Sequence, residues 1–154
     1  MFSKVNSAAI RGIEGVLIQV EADVSNGLPV FDMVGYLASE VKEAKERVRI
    51  SMKNSGFQLL PKRITVNLSP ADIRKEGTAF DLPIAVAILT SFGFIPQENL
   101  KHVVIAGELS LDGRLNKISG VLPIVNTAKE HGFKSCILPL ENATEGAVDR
   151  KSVV

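Results

Sequence analysis

Residues 64–93 constrain the fold more than any other part of this chain. They run from an apolar strand candidate, Ile64–Leu68, through a polar loop, Ser69–Thr78, into a helix for which Asp81 is the predicted N-cap. The body of that helix, Ile84–Phe92, is apolar on nearly all sides, so we expect it to be buried. A helix buried in this way needs packed elements all around it, which requires a layered fold.

The rest of the chain supplies those elements. Predicted strands cover 16–22, 29–34, 64–68, 103–106 and 135–138; predicted helices cover 39–55, 81–92 and a segment capped by Ser119 that ends at His131. A tight hairpin is predicted at Leu109–Leu115 from its Asp-Gly pair. Strands that come first and then mix with helices predict an α+β fold, with about three helices packed on a mixed sheet. A length of 154 residues fits one domain.

Basic residues are concentrated in one window of a nearly neutral chain. The formal net charge is +1, yet the window from Lys42 to Lys75 holds nine basic and three acidic residues. Such a local excess of positive charge suggests an anionic partner for one face. The alternative is a solvated helix face with internal pairs such as Glu43–Arg47 at i,i+4 spacing.

Within this window, one predicted helix carries two parallel stripes. Its apolar positions recur at intervals of three, four and four residues, and four cations recur at the same intervals beside them. The cations are Lys42, Lys45, Arg49 and Lys53. A second candidate patch comprises Lys62, Arg63, Arg74 and Lys75. These eight residues are the candidate nucleic-acid-binding residues, and contacts from them to phosphates would be independent of base sequence.

The loop Ser69–Gly77 is the best candidate for function outside that helix. Arg74 and Lys75 are candidates to hold a phosphate, and Gly77 would let the backbone approach it closely. The competing interpretation is a salt-bridged connection in which Asp72 or Glu76 pairs with Arg74.

The residues give little support to catalysis, metal binding or membrane insertion. Neither His102 nor His131 has a ligand-type neighbour at metal-binding spacing, and no P-loop run for a nucleotide is present. We therefore predict no catalytic residue, metal site or cofactor in this chain. Cys136 is predicted to be a buried strand thiol. No signal peptide or membrane span is recognised, so a cytoplasmic location without membrane contact is expected.

The C-terminal part of the chain resembles the proteolytic domain of Lon proteases, which use a serine–lysine pair. The resemblance rests on Gly107–Leu115, Ile118–Gly120, Ala128, Gly132, Pro139 and Asn142. The serine position, which follows the run Lys75–Thr78, is occupied by Ala79, and the lysine position is occupied by Leu122. The resemblance therefore implies a Lon-like fold without the proteolytic pair.

A second resemblance extends over the whole chain. Its runs are 25–29, 33–35, 41–49, 54–56, 62–72, 75–77 and 80–83. They resemble the N-terminal domain of the magnesium-chelatase-like AAA+ ATPases, a bacterial family that includes ComM-like competence proteins. One departure is Gly35-Tyr36-Leu37, where the family usually has Gly-Leu-Pro.

The family resemblance implies a role that the residues alone do not. Residues 1–148 would be a Lon-like N-terminal domain, and 149–154 would begin a linker to an AAA+ ATPase module outside this chain. The parent protein would bind ATP and magnesium, form a homohexamer and act as a DNA helicase that promotes branch migration during natural transformation. The present chain would be a non-catalytic accessory domain that contributes DNA contact or assembly.

Three other interpretations stay open. In the first, the domain is an oligomerisation or partner-docking module without a ligand of its own, and its charges form a solvated face. A less favoured interpretation makes the parent a subunit of a true ATP-dependent magnesium chelatase. A hidden protease is least favoured, because both positions of the pair have lost their reactive groups.

Overall fold

The computed structural model describes residues 1–143. Its strands are β1 (Phe2–Arg11), β2 (Glu14–Ser25), β3 (Phe31–Val34), β4 (Arg63–Ser69), β5 (Val103–Ile105), β6 (Glu108–Leu109), β7 (Leu115–Asn116) and β8 (Ser135–Ile137). Its α-helices are α1 (Ser39–Lys42), α2 (Ala44–Asn54), α3 (Asp81–Ser91) and α4 (Val121–Glu130). Short 3-10 turns cover Gln97–Leu100 and Leu140–Asn142. The predicted linker, 149–154, and the last residues of the predicted domain, 144–148, lie outside the described part of the chain.

Six strands form one mixed sheet in the order β3-β4-β2-β1-β5-β8. The long β1–β2 hairpin is antiparallel, and β2 also pairs antiparallel with β4. Parallel pairs add β3 beside β4, β5 beside β1 and β8 beside β5. Strands β6 and β7 form a separate small hairpin. This arrangement confirms the predicted mixed sheet with packed helices and the predicted hairpin.

Helix α3 lies at the centre of the larger hydrophobic cluster. It packs against β1 and β2 on one side and α2 on the other. Ile84 and Ile88 are fully buried, as the apolar sequence of this helix predicts. Ser3 on β1 donates a hydrogen bond to the carbonyl oxygen of Ala87, at 2.7 Å. Burial on both sides explains why the helix can be apolar all round.

A smaller cluster forms where α4 packs on β1 and β2. Val121 and Ile124 of this helix are buried against Val104 of β5 and Cys136 of β8. The burial of Cys136 confirms the predicted strand thiol. Across residues 1–143, no helix combines the length and the apolar content that crossing a lipid bilayer requires.

Three predicted helix boundaries are wrong. Asp81 is the first residue of α3 rather than its N-cap, a position that Phe80 occupies. Gly120, not Ser119, precedes α4, and its φ of 78° is left-handed, which a glycine adopts without steric cost. The helix predicted over 39–55 forms two segments, α1 and α2, which meet at Glu43.

Candidate nucleic-acid interface

The two stripes of the predicted basic helix lie on adjacent sides of α1 and α2. The apolar positions Val41, Ala44, Val48 and Met52 are all buried in the core. Their burial turns the cations outward: Lys42, Arg49 and Lys53 are exposed, and Lys45 is half-buried. The fold therefore buries the apolar stripe of this helix and leaves the cations at the surface, as the spacing of the residues predicts.

Most of these cations have no acidic partner among the residues that the structure describes. Arg49 is the exception, because its guanidinium lies 2.6 Å from the Glu46 carboxylate. That bond also lowers the pKa of Glu46. Among residues 1–143, no carboxylate forms an ion pair with Lys42, Lys45 or Lys53. Three of the four charges in the stripe are thus free to meet an anion.

A groove brings the helix cations together with part of the second predicted patch. Arg49 and Lys53 line it from α2, and Lys62 lines it from the connection before β4. Its volume is about 660 Å³. Lys62 donates to the side-chain oxygen of Asn26, at 3.1 Å, so its charge is not neutralised by that contact. Arg63 follows Lys62 and is exposed, 3.5 Å from Asp32. We use the name basic face for the six cations in and beside the groove: Lys42, Lys45, Arg49, Lys53, Lys62 and Arg63.

The structure does not bring Arg74 into that groove. Arg74 forms an ion pair with Glu76 instead, which confirms the salt-bridged alternative for its loop. It lines a different cleft, beside Arg11 and Tyr36.

Lys75 departs most from its predicted placement. Its side chain is 0% exposed, and its ammonium donates a hydrogen bond to the carbonyl oxygen of Pro70. Burial lowers the pKa of this amine. The backbone of Lys75 is also bonded to the segment just before α1. Its N–H donates to the carbonyl oxygen of Tyr36, and its carbonyl oxygen accepts from the N–H of Ala38. The expectation of a surface cation at this position is wrong, since both its ends are used inside the fold.

Arg47 also points inward, and the predicted Glu43–Arg47 pair is wrong. The guanidinium donates to both carboxylate oxygens of Asp81, at 2.7 and 3.0 Å, and to the carbonyl oxygen of Glu40, at 2.8 Å. Asp81 is fully buried and accepts a further bond from the backbone N–H of Leu109, at 3.0 Å. The bond to Asp81 raises the pKa of Arg47, whereas burial raises the pKa of Asp81. This pair ties α2 to α3 and to the β6–β7 hairpin.

The two positions that are predicted to correspond to the Lon pair, Ala79 and Leu122, line separate clefts. Ala79 lines a cleft of about 470 Å³ together with Thr78 and Ser119. Leu122 is 42% exposed and lines another, of about 370 Å³, beside Ile13. Within the described residues, no cluster of three His, Cys, Asp or Glu side chains is placed to hold a metal ion.

Sequence reasoning missed the apolar residues of the groove. The sequence pattern places Phe57–Pro61 in no helix or strand, yet these residues form much of the groove wall. The sequence does carry a signal for this surface. Several apolar residues between the end of a helix and the start of a strand indicate side chains that either pack on the surface of the domain or stay exposed.

A family model described as subunit ChlI of Mg-chelatase matches residues 20–142. The chain belongs to that family. Competence protein ComM of Haemophilus influenzae is 40% identical over 144 residues, which is 94% of this chain and 28% of the relative. Protein YifB of Salmonella typhimurium is 41% identical over 141 residues, which is 92% of this chain and 28% of the relative.

A more distant match bears on the fold. Lon protease 2 of Bacillus subtilis is 27% identical over 155 residues, covering 90% of this chain and 28% of that protease. This match and the mixed sheet with its packed helices agree with the predicted Lon-like domain. The chain spans about 28% of the length of each of these relatives.

Proposed function

We propose that this chain is a non-catalytic accessory domain of a ComM-like AAA+ ATPase and that it contacts DNA through its basic face. The observation that carries the proposal is the set of cations on this face without an acidic partner among residues 1–143. They are Lys42, Lys45, Lys53 and Lys62.

Phosphate is the anion that suits this arrangement. Lysine ammonium groups neutralise phosphates as point charges, and each contact releases a counterion from the nucleic acid. The four lysines come from α1, α2 and the connection before β4 rather than from one cluster, which fits a partner with repeated charges. Contacts of this kind position a strand without reading its bases.

The non-catalytic part of the proposal rests on the residues at the Lon positions. Alanine at 79 has no nucleophilic atom and leucine at 122 has no base. In the proposed parent protein, ATP hydrolysis with magnesium in a hexameric AAA+ ring would supply the work of a helicase in branch migration. This domain would hold DNA beside that ring.

Fluorescence anisotropy with labelled single-stranded, duplex and forked DNA tests the proposal. The variant K42E/K45E/R49E/K53E should lose binding at low salt. The matched control is K4E/K101E/K117E/K134E, which reverses the same number of charges at exposed lysines outside the basic face. Equal losses in both variants would mean that net charge alone governs binding, and unchanged affinity in the first variant would refute the assignment.

A further inference from the structure

The groove beside the basic face has an apolar wall as well as charged ones. Its lining includes Val30, Met52, Phe57, Leu59, Leu60 and Pro61. Leu60 is 66% exposed and Val30 is 39% exposed, so apolar surface is open to solvent here. Among the described residues that line the groove, three are cations and none is acidic. A groove lined by both apolar residues and cations differs from a plain phosphate-binding stripe.

The groove also adjoins an open edge of the sheet. Strand β3 pairs with β4 on one side and, within residues 1–143, has no neighbour on the other. Phe31, the first residue of β3, lines the groove. An unpaired strand edge presents backbone donors and acceptors to an extended segment that lies along it.

We propose that this groove binds an acidic peptide segment that carries large apolar side chains. The apolar side chains would enter the groove against Leu59 and Leu60. The carboxylates would meet Arg49, Lys53 and Lys62 at the rim. A volume of about 660 Å³ is sufficient for such side chains, because ligand pockets commonly have volumes of about 300–1,000 Å³.

The lining favours a peptide over a nucleic acid strand. Proteins that bind single strands stack the bases on open aromatic faces, whereas most of the apolar residues in this lining are aliphatic or proline. Phe57 is half-buried, and its ring packs edge-to-face with Phe94 at a centroid distance of 5.5 Å. Surface ion pairs contribute little by themselves, so the apolar side chains would supply most of the affinity.

The probe is a fluorescein-labelled peptide of about eight alternating glutamate and leucine residues, roughly 26 Å long when extended. Two matched peptides replace leucine with serine or glutamate with lysine. Binding is measured by anisotropy to the wild-type chain and to L60S, which removes an exposed apolar side chain without changing charge. The control is I13S, because Ile13 is 91% exposed and lies on the β1–β2 turn, outside the groove lining.

We expect the acidic apolar peptide to bind, and L60S to weaken that binding about tenfold, which corresponds to about 1.4 kcal/mol. I13S should bind the peptide as the wild type does. Binding of the serine peptide as tight as that of the leucine peptide would overturn the proposal, since charge alone would then explain the contact. Absence of peptide binding would overturn it as well.

The same variants separate this proposal from DNA contact. L60S leaves every lysine of the basic face in place, so affinity for a thymine oligonucleotide should not change. If L60S weakens binding of the oligonucleotide and the peptide does not bind, the groove is a nucleic acid site and the peptide proposal is wrong. A chain that binds the peptide but no DNA would refute the proposed function and support the peptide site.

Discussion

Neutralising Lys45 and Lys53 should halve the salt dependence of DNA binding by this domain. Both residues lie on α2 and have no ion pair among residues 1–143. Each lysine that contacts a phosphate releases counterions, so the slope of affinity against salt counts the contacts. The double variant K45Q/K53Q removes two charges and adds no acidic group.

The magnitude follows from the cations that the structure leaves available. Four lysines of the basic face lack an acidic partner within the described residues, which gives a logarithmic slope of about −2.8 for single strands and about −3.6 for duplex DNA. Between 50 and 200 mM salt, affinity should then fall about 50-fold for single strands and about 150-fold for duplex. With two contacts left, the corresponding losses should be about 7-fold and about 12-fold.

Anisotropy titrations at a series of salt concentrations measure both slopes directly. The control K101Q/K134Q neutralises two exposed lysines outside the basic face and should retain the wild-type slope. The reasoning is refuted if K45Q/K53Q binds more weakly but with an unchanged slope, because the lost affinity would then not come from phosphate contacts.

Two further predictions concern groups that the fold turns inward. R47M should destabilise the domain by about 3–5 kcal/mol, because the fully buried Asp81 loses its ionic partner. R47M/D81N should recover part of that loss, because the neutral amide removes the buried charge and keeps an oxygen that accepts from the backbone N–H of Leu109. Thermal or urea unfolding measures both variants, and a cost of R47M below about 1 kcal/mol would contradict this role. Burial lowers the pKa of Lys75 in the folded domain, so the amine of the unfolded chain holds more protons between the two pKa values. The free energy of unfolding should therefore rise with pH toward about 10.4, by up to about 1.4 kcal/mol per pH unit. Urea titrations at several pH values should show no such rise from this position in K75M, and an identical dependence of stability on pH in both proteins would contradict the prediction.

Much of the fold was predictable because its signals are local. The apolar sequence of α3 required burial on all sides, and the mixed sheet with packed helices provides it. The stripes of α2 likewise set which side faces the core. Helix boundaries were less predictable, since Asp81 serves Arg47 and Leu109, both distant in sequence, instead of its own helix.

The candidate site was only partly predictable, because a charge in the sequence does not say where its side chain points. Arg47 and Lys75 lie in the same basic window as Lys53, yet Arg47 pairs with the buried carboxylate of Asp81 and Lys75 is itself buried and donates to the backbone carbonyl of Pro70. Their partners, Asp81 and Pro70, are brought close by the fold. The meeting of Lys62 with the helix cations depends in the same way on how the connection before β4 folds back.

The inward pair of Arg47 and Asp81 has a consequence for the energetics of any ligand on the outer side of α2. The helix is fixed to α3 and to the β6–β7 hairpin before a ligand arrives. Binding therefore need not order the backbone, a step that costs about 1–2 kcal/mol per residue. What remains is the immobilisation of long side chains such as Lys45 and Lys53, at about 0.5–1.5 kcal/mol each. A ligand on the basic face would therefore meet a helix that is already ordered, and weak individual contacts would suffice for measurable affinity.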